Sequence, residues 1–322
     1  MSLPISKKNN AKSIYNKNIY LNFAKYILDC QDSDGGIRWE PSSKIDPWDH
    51  IESAMGIDVL GFESESKKAY EWLESNQEKD GSWYSLYHSS ETNFLKETNF
   101  SSYIAVGMWH HYLNFKDKEF LRRFWPILDL AIKFTLSGQT KHGDISWAKD
   151  QENWLDDSLK TGCSSIYMSL ISYKKIAKEI KAKDRVKDEQ IKKLKDCINS
   201  KSFRFDRNWE SKSRYSMDWY YPILCGLLDR ETAKKRIEKK WDEFIVEGKG
   251  CKCVSEEPWV TIAESCELVI ALMRIGLEDK AKSLFDCLHQ WRDEDDGLYW
   301  TGYVYTDKKF WPVEKPTWTA GA

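Results

Sequence analysis

The stretch Asp46-Pro-Trp-Asp-His-Ile-Glu52 packs three carboxylates, an imidazole and an indole into seven residues. On a helix, Asp49 and Glu52 stand three positions apart and share a face. His50 points about 100° away from Asp49 and can contact either acid. Asp218 opens the otherwise apolar segment MDWYYPILCGLL, where poor hydration suits a general acid. Glu264 and Glu267 lie one turn apart in an apolar helix, and Glu264 is nearer its start. The candidate catalytic set is therefore Asp49, His50, Glu52, Asp218 and Glu264, with Glu314 a weaker member. A plainer reading competes with it. Acids cap helix N-termini, as Asp46 before Pro47 would, and a histidine beside acids is more often a satisfied polar residue.

Aromatic residues surround these acids. Sixteen tryptophans are more than a core needs, because each buried indole brings an N–H that must find a partner. The candidates for substrate binding are Trp48, Trp83, Trp147, Trp154, Trp219, Tyr220, Trp259, Tyr303 and Trp311. Indole faces over paired carboxylates suit a sugar, one acid protonating while its partner stays ionised. The same faces suit an isoprenoid, whose carbocation they would attract.

The elements that must position these residues repeat. Amphipathic helices are expected at Ser13–Cys30, Ser66–Gln77, Lys116–Gln139, Asp188–Ser200, Glu231–Val246 and Leu277–Arg292, each with one wet face. Each is followed by a turn: QDSDGGIRW, QEKDGSW, QTKHGDISW, SFRFDRNW, EGKGCKCVSEEPW and WRDEDDGLYW. After each turn comes a more apolar helix rich in small residues, the first DPWDHIESAMGIDVLG and the last PTWTAGA. Six outer and six inner helices describe an all-α toroid, an (α/α)6 barrel. One domain over residues 13–322, after a flexible N-terminus at 1–12, is expected. The inner helices run parallel, so their N-termini gather the candidate residues at one mouth. The last inner helix stops after about seven residues, so a longer natural chain, more stable than this one, is expected.

Composition narrows the classes. Forty-nine basic and 51 acidic residues give a net charge of −2, with no basic excess for nucleic acid. No apolar run reaches the roughly 18 residues that span a bilayer, and no signal peptide is evident, so a cytoplasmic protein is expected. Eight cysteines without a regular framework predict reduced thiols. Phosphate loops, nucleophile elbows and zincin motifs are absent, so no cofactor and no metal are expected. The expected partner is a small-molecule substrate, isoprenoid or glycan. Composition leaves the oligomeric state open.

The Q-x-x-D-G-S-W turn resembles the repeat of terpenoid cyclases and protein prenyltransferase β-subunits, and the likeness covers nearly the whole chain as architecture. It implies a prenyltransferase-like or terpenoid cyclase-like enzyme acting on an isoprenoid in an aromatic-lined cavity. The family's motifs do not carry over. Asp293-Glu294-Asp295-Asp296 matches the cyclase acid Asp-x-Asp-Asp in letters but sits in the sixth turn. Asp218 matches the aspartate of the transferases' zinc site, where their cysteine is Trp or Tyr here. The segment from Ala105 to Phe134 resembles a hairpin of glucoamylase-type sugar hydrolases, under a tenth of the chain. An isoprenoid enzyme is thus the leading expectation, and a carbohydrate-active enzyme using a carboxylate pair is the alternative. A non-catalytic binding toroid is third, for which alanine at Asp218 and Glu264 would alter stability alone.

Overall fold

Outer and inner helices alternate along residues 20–88 and 93–322, the part of the chain that the computed structural model describes. The outer helices are α1 (Leu21–Asp29), α3 (Glu63–Asn76), α5 (Lys118–Ser137), α7 (Asp188–Ser200), α9 (Arg230–Phe244) and α11 (Glu278–Leu288). The inner helices are α2 (Pro47–Leu60), α4 (Thr98–Phe115), α6 (Lys160–Ile180), α8 (Ser216–Leu224), α10 (Ile262–Arg274) and α12 (Thr317–Gly321). Each inner helix packs on the next, and α12 packs on both α10 and α2, so the inner layer is a closed ring. The fold is an (α/α)6 toroid. The expected N-terminal segment 1–12 lies outside the described residues.

The first three turns are built alike. Gln31, Gln77 and Gln139 each donate through Nε2 to a carbonyl of their own turn, Gly35, Gly81 or Gly143, at 3.0–3.2 Å. The same amide nitrogen donates to a carbonyl of the next outer helix, Glu65, Ile127 or Gln190, at 2.9–3.0 Å. The glycines adopt positive φ, between 96° and 105°. A Cβ on any of them would lie 2.1–2.3 Å from a carbonyl of that neighbouring helix, at Lys68, Leu130 or Lys193. Glycine is required twice over, for the turn and for the close approach. In the sixth turn Arg292 takes the glutamine's place, donating from Nε to Gly297 O at 2.8 Å.

Strands depart from the purely helical expectation. The fifth turn opens a five-stranded antiparallel sheet, β3 (Ile245–Val246), β4 (Gly250–Lys252), β5 (Trp259–Thr261), β6 (Gly302–Val304) and β7 (Lys309–Phe310), in sequential order. Cys251 pairs with Thr261, and Val260 with Tyr303. Short β-branched and aromatic runs between glycine turns favour this local pairing. A two-stranded pair, β1 (Lys96–Glu97) and β2 (Ala148–Lys149), lies elsewhere on the rim.

Replacing Gly143 by alanine is expected to cost about 3 kcal/mol or more, since backbone must move to admit the methyl. Gln139→Ala, which removes two hydrogen bonds, is expected to cost about 1–2 kcal/mol. Urea unfolding would measure both, and equal midpoints for Gly143→Ala and the parent chain would refute this account of the turn.

Candidate active site

The loops that lead into the inner helices are sewn into a rim. Ile45 bridges Tyr87, β1 pairs with β2, and Asp206 N–H donates to Ser158 O at 3.3 Å. Tyr215 bridges Val254, β5 pairs with β6, and Thr317 N–H donates to Trp39 O at 2.8 Å. Each link joins the entrance of one inner helix to that of the next. All six N-termini therefore open at one mouth.

Two of these helices carry the same acidic pattern. Asp49 and Glu52 are the third and sixth residues of α2, and Glu264 and Glu267 are the third and sixth of α10. Pro47 at the first position and Asp46 at the N-cap fix the start of α2, with Asp46 accepting from Asp49 N–H at 2.9 Å. Asp46 also accepts from Trp39 Nε1 at 2.6 Å. All four lumen acids keep some exposure, as side chains lining an internal cavity do.

Their electrostatics differ. Burial, then the charges of Asp46 and Glu52, push Asp49 well above the usual carboxylate range, and the protonated Asp49 donates a hydrogen bond to Asp46. Burial raises Glu52 to about 7 despite donors from Trp48 Nε1 and from Tyr103 Oη at 3.2 Å. Glu267 is likewise pushed far up by burial and by the charge of Glu52, although Tyr220 Oη donates to it. Glu264 keeps its Oε2 buried and without a hydrogen-bond partner among the described residues. An unsatisfied carboxylate oxygen is costly, and such atoms mark strained or functional positions. Trp48, whose indole N–H donates to Glu52, stacks on Tyr103 with ring centroids 4.7 Å apart.

Other candidates fall elsewhere. His50 is fully enclosed: its Nδ1 accepts from Ile37 N–H at 3.0 Å and its Nε2 donates to Ala69 O at 2.9 Å. Burial lowers it to about 4, so it stays neutral and ties α2 to the first turn and to α3. Asp218, the third residue of α8, is ion-paired with Lys160 at 3.5 Å rather than isolated in apolar surroundings. Trp83 and Trp219 are core residues, their indoles donating to Leu73 O and Arg236 O at 2.8 Å. Trp154 packs on Phe134 of α5, and Tyr303 of β6 stacks on Trp291. Trp147 meets Trp209 edge-on at 5.2 Å, and Trp259 meets Trp311 at 4.9 Å. Glu314 accepts from Thr301 at the entrance to α12.

The candidate set omits several residues that the fold brings into play. Glu97, the N-cap residue of α4, is raised to about 8 by burial and by the charge of Asp46. Tyr103 and Lys160 occupy inner-helix positions whose only signal was a polar group in a small-residue helix. Asp293 and Asp296 of the sixth turn pair with Lys315 at 2.7 Å, as turn acids. Among the described residues, no group of three histidine, cysteine or acidic side chains is arranged to hold a metal ion, and no helix is long and apolar enough to cross a membrane. All eight cysteines are free.

No family model matches the chain. The MMP endo-(1,4)-3-O-methyl-α-D-mannosidase of Mycolicibacterium hassiacum is 38% identical to it over 300 residues, covering 93% of this chain and 82% of that protein. A glycosidase variant solved in complex with glucose superposes with a TM-score of 0.76 at 12% identity, covering 98% of this chain and 96% of its own. A D-mannose isomerase superposes with a TM-score of 0.72 at 12% identity, covering 100% of this chain and 98% of its own. At that identity the two structures speak for the fold alone. The mannosidase overturns the terpenoid cyclase and prenyltransferase resemblance, and with it the expected isoprenoid enzyme. The reason is physical: the Gln–Gly–Trp turn joins helices, its glutamine and glycine engaged with the next outer helix, and so carries no information about substrate.

Because Glu97 titrates near 8 when folded and near the ordinary glutamate value when unfolded, the folded state binds the extra proton. Stability from this group is full below the unfolded value and is lost as pH rises through about 8. Melting curves should show Glu97→Gln gaining on the parent chain steadily from pH ~5 to pH ~8. A constant gap across that range would contradict the assignment. His50 opposes this trend in both chains and cancels in the difference.

Proposed function

The chain belongs to the family of the MMP endo-(1,4)-3-O-methyl-α-D-mannosidase, and from that premise we propose that it is a glycoside hydrolase cutting an α-(1,4)-linked, mannose-type glycan within its length. One observation carries the chemistry. Two inner helices present acids at matching positions, their third and sixth residues, and the two third residues differ: Asp49 holds its proton while Glu264 keeps an oxygen without a hydrogen-bond partner. Pairs of titratable groups driven into different roles by their surroundings are how hydrolases split acid from base.

In this reading Asp49 protonates the glycosidic oxygen as the bond from the anomeric carbon breaks. Its proton comes from the shared Asp46–Asp49 pair, which regains one from water afterwards. Glu264 supports the positive charge at the anomeric carbon and assists the incoming water, whose oxygen forms the new bond. Glu52 and Glu267, each held by a tyrosine hydroxyl, form a polar floor for sugar hydroxyls. Asp218 with Lys160 adds a charged pair at the starts of α8 and α6.

The test is hydrolysis of α-(1,4)-linked mannose oligosaccharides, with and without 3-O-methyl groups, followed by chromatography of the fragments. Internal cleavage is expected, and Asp49→Asn and Glu264→Gln should each lower kcat by about 10²–10⁴. Wild-type protein that cuts none of these glycans, or an Asp49→Asn form within about tenfold of it, would sink the proposal.

A further inference from the structure

The glutamine that joins one outer helix to the next is missing between α7 and α9. Gln31 stands two residues beyond α1 and Gln139 two beyond α5, and each donates to the third residue of the next outer helix, Glu65 or Gln190. The same spacing puts Ser202 two residues beyond α7 and Thr232 third in α9. A serine is too short to make that span. Both residues instead line a cleft of about 490 Å3.

The cleft collects cations. Of its four charged side chains, Lys160, Lys195 and Arg236 are basic and only Asp229 is acidic. Asp229 is committed to its own helix, one oxygen accepting from Thr232 N–H at 2.9 Å and the other from Thr232 Oγ1 at 2.6 Å. Lys195 has neither an ion pair nor a hydrogen bond among the described residues. Arg236 donates from Nε to Trp219 O at 2.7 Å and from Nη2 to Asp218 O at 2.9 Å, so both of its acceptors are neutral carbonyls. Burial outweighs the attraction of Asp218 and pulls its guanidinium below the ordinary range, as happens to a cation short of counter-charge. Asp218 itself is 5% exposed, and it reaches Lys160 at 3.5 Å.

The other walls define the anion that fits. Asn199, Ser202 and Thr232 bring amide and hydroxyl groups, while Ile198, Pro222, Leu227 and Leu228 form an apolar side. Lysine and arginine hydrogen-bond a phosphoryl group with assistance from charge. The volume lies in the range of small-molecule sites, well beyond a bare ion.

We propose that the cleft between α7 and α9 binds a small phosphorylated molecule of the sugar phosphate class. Its phosphoryl group lies among Lys160, Lys195 and Arg236, and its organic body lies against Pro222 and Leu227. Such a ligand would join α7 to α9, as the glutamine amide joins other outer helices. The site is separate from the glycan reading, in which Lys195, Ser202 and Arg236 take no part.

The test is calorimetric titration of the whole chain with glucose 6-phosphate, inorganic phosphate and glucose at one ionic strength. Glucose 6-phosphate is expected to bind more tightly than inorganic phosphate and to raise the Tm. Lys195→Glu should weaken it about tenfold or more. Ser202→Gln, which places the bridging amide in the cleft, should weaken it as well and melt no lower than the parent. Lys195 is half-buried and Ser202 exposed, so both variants should fold. Failure of both phosphate compounds to bind, or a glucose 6-phosphate Kd unchanged in both variants, would overturn the site. Unchanged Kd values together with equally tight binding of glucose would place the sugar in the mouth and reject the cleft. Equal affinity for the two phosphate compounds, lost in Lys195→Glu, would reject the organic body and support a free phosphate ion in its place.

Discussion

A glutamine amide that reaches from one turn to the next outer helix sets the geometry of this ring. Gln31, Gln77 and Gln139 each span that gap, and the glycine four residues on lets the two backbones touch. The carbonyls at Lys68, Leu130 and Lys193 follow the glutamines' acceptors by three residues each, one helical turn on. Such a two-point contact fixes the height of each hairpin against its neighbour. The entrances of neighbouring inner helices are then linked to one another around the rim. Where the glutamine is missing, other contacts take over. The buried Asp144 holds Arg204 by two hydrogen bonds of 3.0–3.1 Å around the fourth turn, and the five-stranded sheet braces the fifth.

The cup so formed is expensive. Asp46, Asp49, Glu52 and Glu97 repel one another in a space that water reaches poorly, as do Glu264 and Glu267. Burial away from water, with the neighbouring charges adding to it, is relieved by keeping protons, which is why Asp49, Glu52, Glu97 and Glu267 all move upward. Tyrosine donors relieve only part of the cost. Strain of this kind concentrates where chemistry is done, and nothing in the packing of α2 or α10 requires these acids.

Much of this was legible in the sequence, for a physical reason. Period and turn chemistry are local, so the outer and inner helices could be read from amphipathicity and from the recurring Gln–Gly–Trp pattern. Asp49, Glu52 and Glu264 stood out because an acid inside an apolar inner helix is rare. What local pattern cannot tell is which neighbour a side chain meets. Trp83 and Trp219 looked like mouth residues, yet they face outer helices, where Leu73 O and Arg236 O accept their N–H groups. His50 sits beside two acids in sequence but points 100° away, into backbone. Lys160 showed in the sequence only as a polar group at the start of a small-residue helix, and its partner Asp218 lies 58 positions away.

The family resemblance failed for a related reason. A turn that joins helices constrains where the inner helices start, and leaves open what they carry, so it can recur above unrelated chemistries. The lumen is the part that discriminates. A cavity that guides a carbocation works with bare aromatic faces. Here the rings on the floor are engaged at their polar ends, Trp48 and Tyr103 with Glu52 and Tyr220 with Glu267. A floor that alternates ring faces with acids and their donors is matched by a ligand that alternates C–H faces with hydroxyls. That match is what the proposed glycan reading rests on, and it comes from helix positions of different hairpins, which no single stretch of the chain contains.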